Sequence, residues 1–281
     1  MYDSLINMSI TVLLVGMGLL WVATGKEPWK VLWFTMKDLF TDHPFRMTFL
    51  LMIAVLMVNK LELVIERELM GSLVTWDITP YIHFLEGNVG SLFQAWAAPW
   101  TTEIFTFIYV FVYPAVIGAS LIGYNFNRDS VLVRTLFYAF VLNYLFALPF
   151  YLFFPVKEAW THNQDIKLLI DTVYPAYHTQ YRLVSGLDNS FPSLHTSVSV
   201  TMALLAGISG RRVWAWLVGI FALLTVFSTL YLGIHWVSDV VAGVGLAVTS
   251  FLLARVLVEK DYRILAAKKS FASWVRNLPF F

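Results

Sequence analysis

The chain has 281 residues, of which 59% are hydrophobic and 13% charged, with a formal net charge of +1. Soluble domains carry roughly 25% charged residues, so the main solvent of this chain is a bilayer, and a near-neutral charge gives no basis for nucleic-acid binding. There is no cysteine, which excludes disulfides, thiolate metal sites and a cysteine nucleophile.

A membrane-spanning helix needs ~20 mostly apolar residues. Seven stretches meet or nearly meet this: Leu5 to Thr24, Arg46 to Glu66, Glu103 to Gly123, Val131 to Phe154, a short one from Pro192 to Ser209, Trp214 to Leu232, and His235 to Val258. They predict an all-α, polytopic integral membrane bundle of about seven transmembrane helices. The first stretch lacks a basic leader, carries Asp3, and has Lys26 after its apolar run, so it reads as a retained helix rather than a cleaved signal. Residues 1–44 then form an N-terminal transmembrane helix and a loop, 45–258 a six-helix core, and 259–281 a basic tail.

Two long connections interrupt the pattern. Gly71 to Trp100 is aromatic and contains Pro80 and Pro99, which suggests helix lying in the membrane interface, its aromatics packing there. Pro155 to Phe191 is a polar loop. Its His162 and His178 read as solvated, and Asp188 and Asn189 as caps for the helix that follows. His43 and His83 fall outside any motif. The tail from Lys260 to Arg276, with Phe271 and Trp274, reads as an amphipathic anchor on anionic lipid.

Basic residues set orientation. Of the 19 Lys and Arg, seven crossings leave Lys60, Arg67, Lys157, Lys167 and Arg182 on one side and the other fourteen opposite. The richer side should be cytoplasmic, with the C-terminus; the Pro155–Phe191 loop and the Gly233–His235 turn should be extracytoplasmic.

Two stretches are unusual for plain membrane helices. In Phe191-Pro192-Ser193-Leu194-His195-Thr196, proline marks a helix start, and a helix N-terminus offers N–H groups and positive dipole to a phosphate. A polar helix start with a solvated histidine explains the string equally well. In Tyr231-Leu232-Gly233-Ile234-His235-Trp236-Val237-Ser238-Asp239, His235 and Asp239 are four apart and share a helix face. An aspartate on one imidazole nitrogen leaves the other as nucleophile or base; a structural capping pair is the alternative. Two crossings separate the stretches, so both lie on the same side.

These strings resemble the second and third signature motifs of the type 2 phosphatidic acid phosphatase superfamily, usually PSGH and SR-x5-H-x3-D. The resemblance covers about Phe45 to Val258, leaving the first helix as an addition. It implies that His235 attacks phosphorus to form a phosphohistidine, that Asp239 orients it, and that His195 protonates the leaving oxygen and then activates the acceptor. Ser193 and the backbone at Leu194 would hold phosphate oxygens. The departures are Leu194 for glycine, Thr229 for the arginine after Ser228, and the absence of a K-x6-RP first motif. FPSLH, the Ser–Thr pair and Phe154-Pro155-Val156-Lys157 resemble the inositol phosphorylceramide synthase-like branch, which transfers a phospho-headgroup, and this resemblance tilts the expected activity to headgroup transfer over lipid (pyro)phosphate hydrolysis. Transition-state phosphoryl charge needs cations, for which Lys157 and Arg182 are the candidates. The implied partners are a membrane lipid phosphate or polyprenyl (pyro)phosphate, a polyol or sugar acceptor, and the lipid bilayer; no metal or other cofactor is implied. Rival readings are a seven-helix transporter or receptor, and a metal site built from His195, His235 and Asp239.

Overall fold

The computed structural model describes residues 4–69, 76–180 and 186–276, and every regular element among them is helical. These are α1 (Leu5–Thr24), α2 (Pro28–Thr41), α3 (His43–Leu69), α4 (Thr79–Glu86), α5 (Pro99–Phe126), α6 (Ser130–Phe153), α7 (Leu194–Ile208), α8 (Arg212–Tyr231) and α9 (Val237–Arg276). Single turns lie between α4 and α5 and between α6 and α7.

Among the described residues, five helices are long and apolar enough to cross a membrane: α1, α5, α6, α8 and α9 as far as Ile264. The chain is therefore an integral membrane protein with an all-α, polytopic bundle. Helix α7 has only 15 residues. It packs among α6, α8 and α9, so it is a helix surrounded by other helices and a full span is not required of it.

Local chemistry sets the boundaries. The Ser4 side chain caps α1 by accepting the Asn7 N–H, and Gly25, at φ 66°, ends it in the left-handed conformation. Asp129 caps α6 through the Leu132 N–H. Within α5, Ile108–Val112 forms a π turn immediately before Tyr113 and Pro114. Proline at 114 has no N–H to return to Val110, and the ladder takes up the defect as a wider turn.

Several expectations are corrected. Residues read as a loop after α1 contain α2, which buries only Val31, Thr35 and Asp38; a one-faced, 14-residue helix escapes a search for long apolar runs. Helix α5 starts at Pro99, four residues before the expected Glu103. Helix α7 starts at Leu194 rather than Pro192, and its cap is Ser193, not Asp188 or Asn189. Those two residues instead pair with Val156: the Asp188 carbonyl accepts its N–H, and Asn189 forms a bridge with it. The last span was expected to end near Val258, but α9 continues unbroken through the basic stretch to Arg276.

The two ends of the bundle differ. At one end, Arg128 and Asn125 bind the buried carboxylate of Asp38, and Arg211 donates to the Ala23 carbonyl. At the other end, residues 76–98, 155–180 and 186–193 form a cap. Gln94 donates to the carbonyls of Lys167 and Tyr231 and accepts the Lys167 N–H. Asn163 donates to the Gly87 carbonyl. Under this cap Ile82, Val156, Ala159, Ile166 and Trp236 make a small apolar core of their own.

Candidate active site

The cap holds the turn between α8 and α9. The Thr229 carbonyl accepts the N–H groups of both Ile234 and His235, while loop N–H groups from Leu169, Trp160 and Ala159 bind the carbonyls of Leu232, Gly233 and Ile234. Gly233 sits at φ 82°, and a Cβ there would lie 2.3 Å from the Lys167 carbonyl oxygen. Only glycine satisfies both constraints.

Helix α9 begins at Val237, so His235 is on the turn just before it. Asp239, fully buried, reaches back to accept the Trp236 N–H at 2.9 Å, the return half of a capping box. The same oxygen, Oδ2, lies 3.2 Å from His235 Nδ1 and accepts the Ser190 hydroxyl at 2.6 Å. Ser190 Oγ is itself 3.0 Å from His235 Nδ1. A carboxylate only accepts, so this arrangement puts the proton on Nδ1 and the lone pair on Nε2. Asp239 is thus both cap and imidazole partner; the two readings of the sequence are one arrangement. Its Oδ1 is buried with no hydrogen-bond partner among the described residues.

The second histidine belongs to the neighbouring helix. Ser193 caps α7 by accepting the Thr196 N–H, and its own N–H binds the Asp239 carbonyl at 3.1 Å. Tyr151 of α6 donates to the Pro192 carbonyl. A Cβ on Gly243 would meet the Ser193 carbonyl at 2.7 Å and Thr196 Cβ at 2.9 Å, so this glycine lets α7 and α9 touch. The result places the His195 and His235 rings 6.3 Å apart. His195 stacks on Tyr109 at 4.3 Å and against Tyr113 at 4.6 Å, the first within the π turn of α5 and the second just after it. The Tyr109 hydroxyl is 3.5 Å from His195 Nδ1.

Other expected site residues are placed differently. Ser193 is fully buried with its hydroxyl on the helix start, and Leu194 opens that helix. The Lys157 ammonium lies 3.6 Å from Asp77, and both side chains are about half exposed. The backbone of Lys157 nonetheless belongs to the site's frame: its N–H donates to Thr79 Oγ1 and its carbonyl accepts Trp236 Nε1. Burial alone would raise the Asp77 carboxyl, but hydrogen bonds from Thr79 and the Lys157 ammonium outweigh it and hold the group below its ordinary value. Arg182 lies outside the described residues. Thr229, at the motif's arginine position, is buried and donates to Val226 within α8. Of the remaining loop histidines, His178 is exposed and pairs with Asp171. His162 is exposed but rests on His83 and Trp236. Among the described residues, no group of three or more His, Asp or Glu is gathered to hold a metal ion.

Ser190 was not foreseen. It lies in the same stretch as Ser193 and His195, but a small hydroxyl in a loop carries no signal of its own. Glu86 was also missed: its carboxylate accepts the N–H groups of Val237 at 2.8 Å and Ser238 at 2.5 Å.

Fold and site together define a polytopic membrane protein with a paired-histidine, aspartate-supported centre at one end of the bundle. The chain belongs to the PAP2 superfamily, whose family model matches residues 81–253. The Escherichia coli protein YbjG, provisionally named an undecaprenyl-diphosphatase, is 30% identical over 102 residues, covering 32% of this chain and 51% of its own. An undecaprenyl-diphosphatase of Sulfolobus acidocaldarius is 39% identical over 57 residues, 20% of this chain and 27% of its own. An uncharacterized Methanocaldococcus jannaschii protein, MJ0662, is 27% identical over 143 residues, 50% of this chain and 56% of its own. The chain thus spans about half the length of these relatives, or less. No solved structure matches it.

Proposed function

We propose that the protein is a membrane lipid phosphatase that hydrolyses a polyprenyl pyrophosphate or a related lipid phosphate through a phosphohistidine on His235. The observation that carries this reading is the Asp239–Ser190–His235 cluster with His195 6.3 Å from His235, in a chain of this superfamily. Two relatives bear names for that activity.

His235 Nε2 attacks phosphorus, and the N–P bond forms as the bond to the lipid-side oxygen breaks. His195 gives its proton to that oxygen. It then takes a proton from water, whose oxygen attacks the phosphohistidine and returns Nε2 as the leaving group. Asp239 and Ser190 hold the Nδ1–H tautomer throughout. The phosphate oxygens face the start of α7 at Ser193 and Leu194, where the helix dipole favours an anion. The start of α9 is taken by Asp239 and Glu86 and is not available to them. Lys157 and Arg182 are the cations proposed to meet the remaining charge.

The Lys and Arg asymmetry supports an extracytoplasmic site with the C-terminus inside. A second reading, headgroup transfer to a polyol or sugar, is favoured by FPSLH and the Ser228–Thr229 pair; it differs only in the acceptor of the second step. The test is purified protein given undecaprenyl pyrophosphate or phosphatidic acid, with and without polyol or sugar. Free phosphate in every arm supports hydrolysis, a phosphorylated acceptor supports transfer, and wild-type turnover by His235→Ala overturns both.

A further inference from the structure

The carboxylate of Glu86 reaches the nucleophile's helix from a distant part of the chain. Its two oxygens take the first two N–H groups of α9, those of Val237 and Ser238, at 2.8 and 2.5 Å. The preceding N–H, at Trp236, goes to Asp239. Three consecutive backbone donors beside His235 are therefore fixed by two carboxylates, one local and one from 151 residues away in sequence.

Glu86 is held there by more than these bonds. Helix α4 docks on the residue next to His235: Ile82 shares a core with Trp236, and the His83 ring packs edge-on to the indole at 5.8 Å. Helix α4 ends at Gly87, whose carbonyl is tied to Asn163. Its other face carries Tyr81, Phe84 and Leu85 at 71%, 86% and 77% exposure. Such an aromatic and apolar face is the kind expected of a helix lying in a membrane interface. The eight-residue helix thus joins an exposed apolar face to the turn that carries His235.

A neutral cap would satisfy the helix end as well as a carboxylate does. A negative charge adds two effects. It stabilises the positive end of the helix, and it sits behind an imidazole that gains positive charge as it bonds to phosphorus. It also opposes an anion at this helix start, leaving α7 for the phosphate.

We infer that Glu86 is a positioning residue for His235, setting the attacking imidazole through the backbone of Val237 and Ser238; the inference rests on His235 being the nucleophile. The test compares Glu86→Gln, Glu86→Asp and His235→Ala in purified full-length protein, with undecaprenyl pyrophosphate as substrate. Displacement of a reacting group by ~1 Å costs up to about 10²-fold in rate. Glu86→Gln, which keeps the shape and loses the charge and one acceptor, should lower kcat by roughly tenfold to a hundredfold, with KM within about twofold. Glu86→Asp should recover part of the loss. Thermal unfolding and the fraction of molecules that trap phosphate should stay near wild type in both. Wild-type kcat in Glu86→Gln beside an inactive His235→Ala overturns the Glu86 role alone. So does a loss wholly explained by fewer folded molecules with unchanged kcat per site. Wild-type turnover in His235→Ala removes the nucleophile and the Glu86 inference with it.

Discussion

The Ser190 hydroxyl bridges His235 and Asp239, 3.0 Å from Nδ1 and 2.6 Å from Oδ2. Asp239 Oδ2 therefore serves three donors, from Ser190, Trp236 and His235. This ranks the members of the cluster. His235→Ala removes the attacking atom and should leave only background turnover. Asp239→Asn keeps the shape but disturbs the tautomer, and should cost up to ~10⁴-fold, the loss that the equivalent change causes in a serine-protease triad. Ser190→Ala removes one hydrogen bond to a charged group, worth ~1.5–3 kcal/mol, so a loss of about 10- to 100-fold is expected. Steady-state kinetics on the three folded variants checks the order. Ser190→Ala as inactive as His235→Ala would refute this order and show that the cluster acts as a single unit.

Glycine positions make a separate prediction about the frame. Gly233→Ala places a Cβ 2.3 Å from the Lys167 carbonyl at φ 82°. The turn carrying His235 must shift, and activity should fall by ~10²-fold or more. Gly243→Ala drives a methyl into Ser193 and Thr196, an overpacking cost of about 1–3 kcal/mol. Gly16 has open space around its Cβ position and is helical, so Gly16→Ala should be neutral or stabilise by up to ~1 kcal/mol. Thermal unfolding in detergent, run beside activity, checks all three. Equal melting temperatures for Gly243→Ala and Gly16→Ala would refute the close approach of α7 and α9.

What the sequence carried about the site was local. His195 sits on a helix start, and His235 and Asp239 are four apart, so short-range spacing was enough to select them. Their meeting across two helices followed from counting crossings. The supports were less legible, because they are tertiary. Glu86 reaches α9 only because α4 docks on Trp236, and no periodicity announces that. Helix α2 hides because its buried stripe is Val31, Thr35 and Asp38, two of them polar. The direction of the Lys157 side chain was equally beyond sequence: being on the right side of the membrane places a backbone, and a flexible four-carbon stem then chooses its partner.

Orientation can be read with cysteines, since the chain has none of its own. Asn163 lies in the cap loop but is buried, with its amide on Gly87 and Asn88, so exposed Gln164 is the better position. At the other end of α9, Lys260 is exposed. An impermeant thiol reagent on intact cells should label Gln164→Cys and spare Lys260→Cys until the membrane is opened. The reverse pattern would place the histidines on the cytoplasmic side.

Lys157 makes the most exacting prediction, because the resting structure holds its ammonium against Asp77 at 3.6 Å. Exposed pairs of this kind contribute only ~0–1 kcal/mol. A pyrophosphate carries more charge than one carboxylate, so exchange of partners costs little. The Asp77 carboxyl is held below its ordinary value of 3.8. A depressed carboxyl keeps its pair above that value and loses it only as pH falls through the folded value. Titration of Asp77 therefore contributes nothing to activity changes between about pH 5 and 8. Lys157→Ala should lower the chemical step by roughly 10²-fold, as loss of one transition-state donor does, and Lys157→Arg should keep part of the activity because the charge persists. Asp77→Asn frees the ammonium, so it should leave kcat intact and hold or lower KM. Arg182→Ala is the matched comparison at saturating substrate. A full loss in Arg182→Ala with no effect of Lys157→Ala assigns the charge to Arg182. Wild-type rates in both variants would show that neither residue neutralises the phosphate, and a cation bound with the substrate would then have to do so.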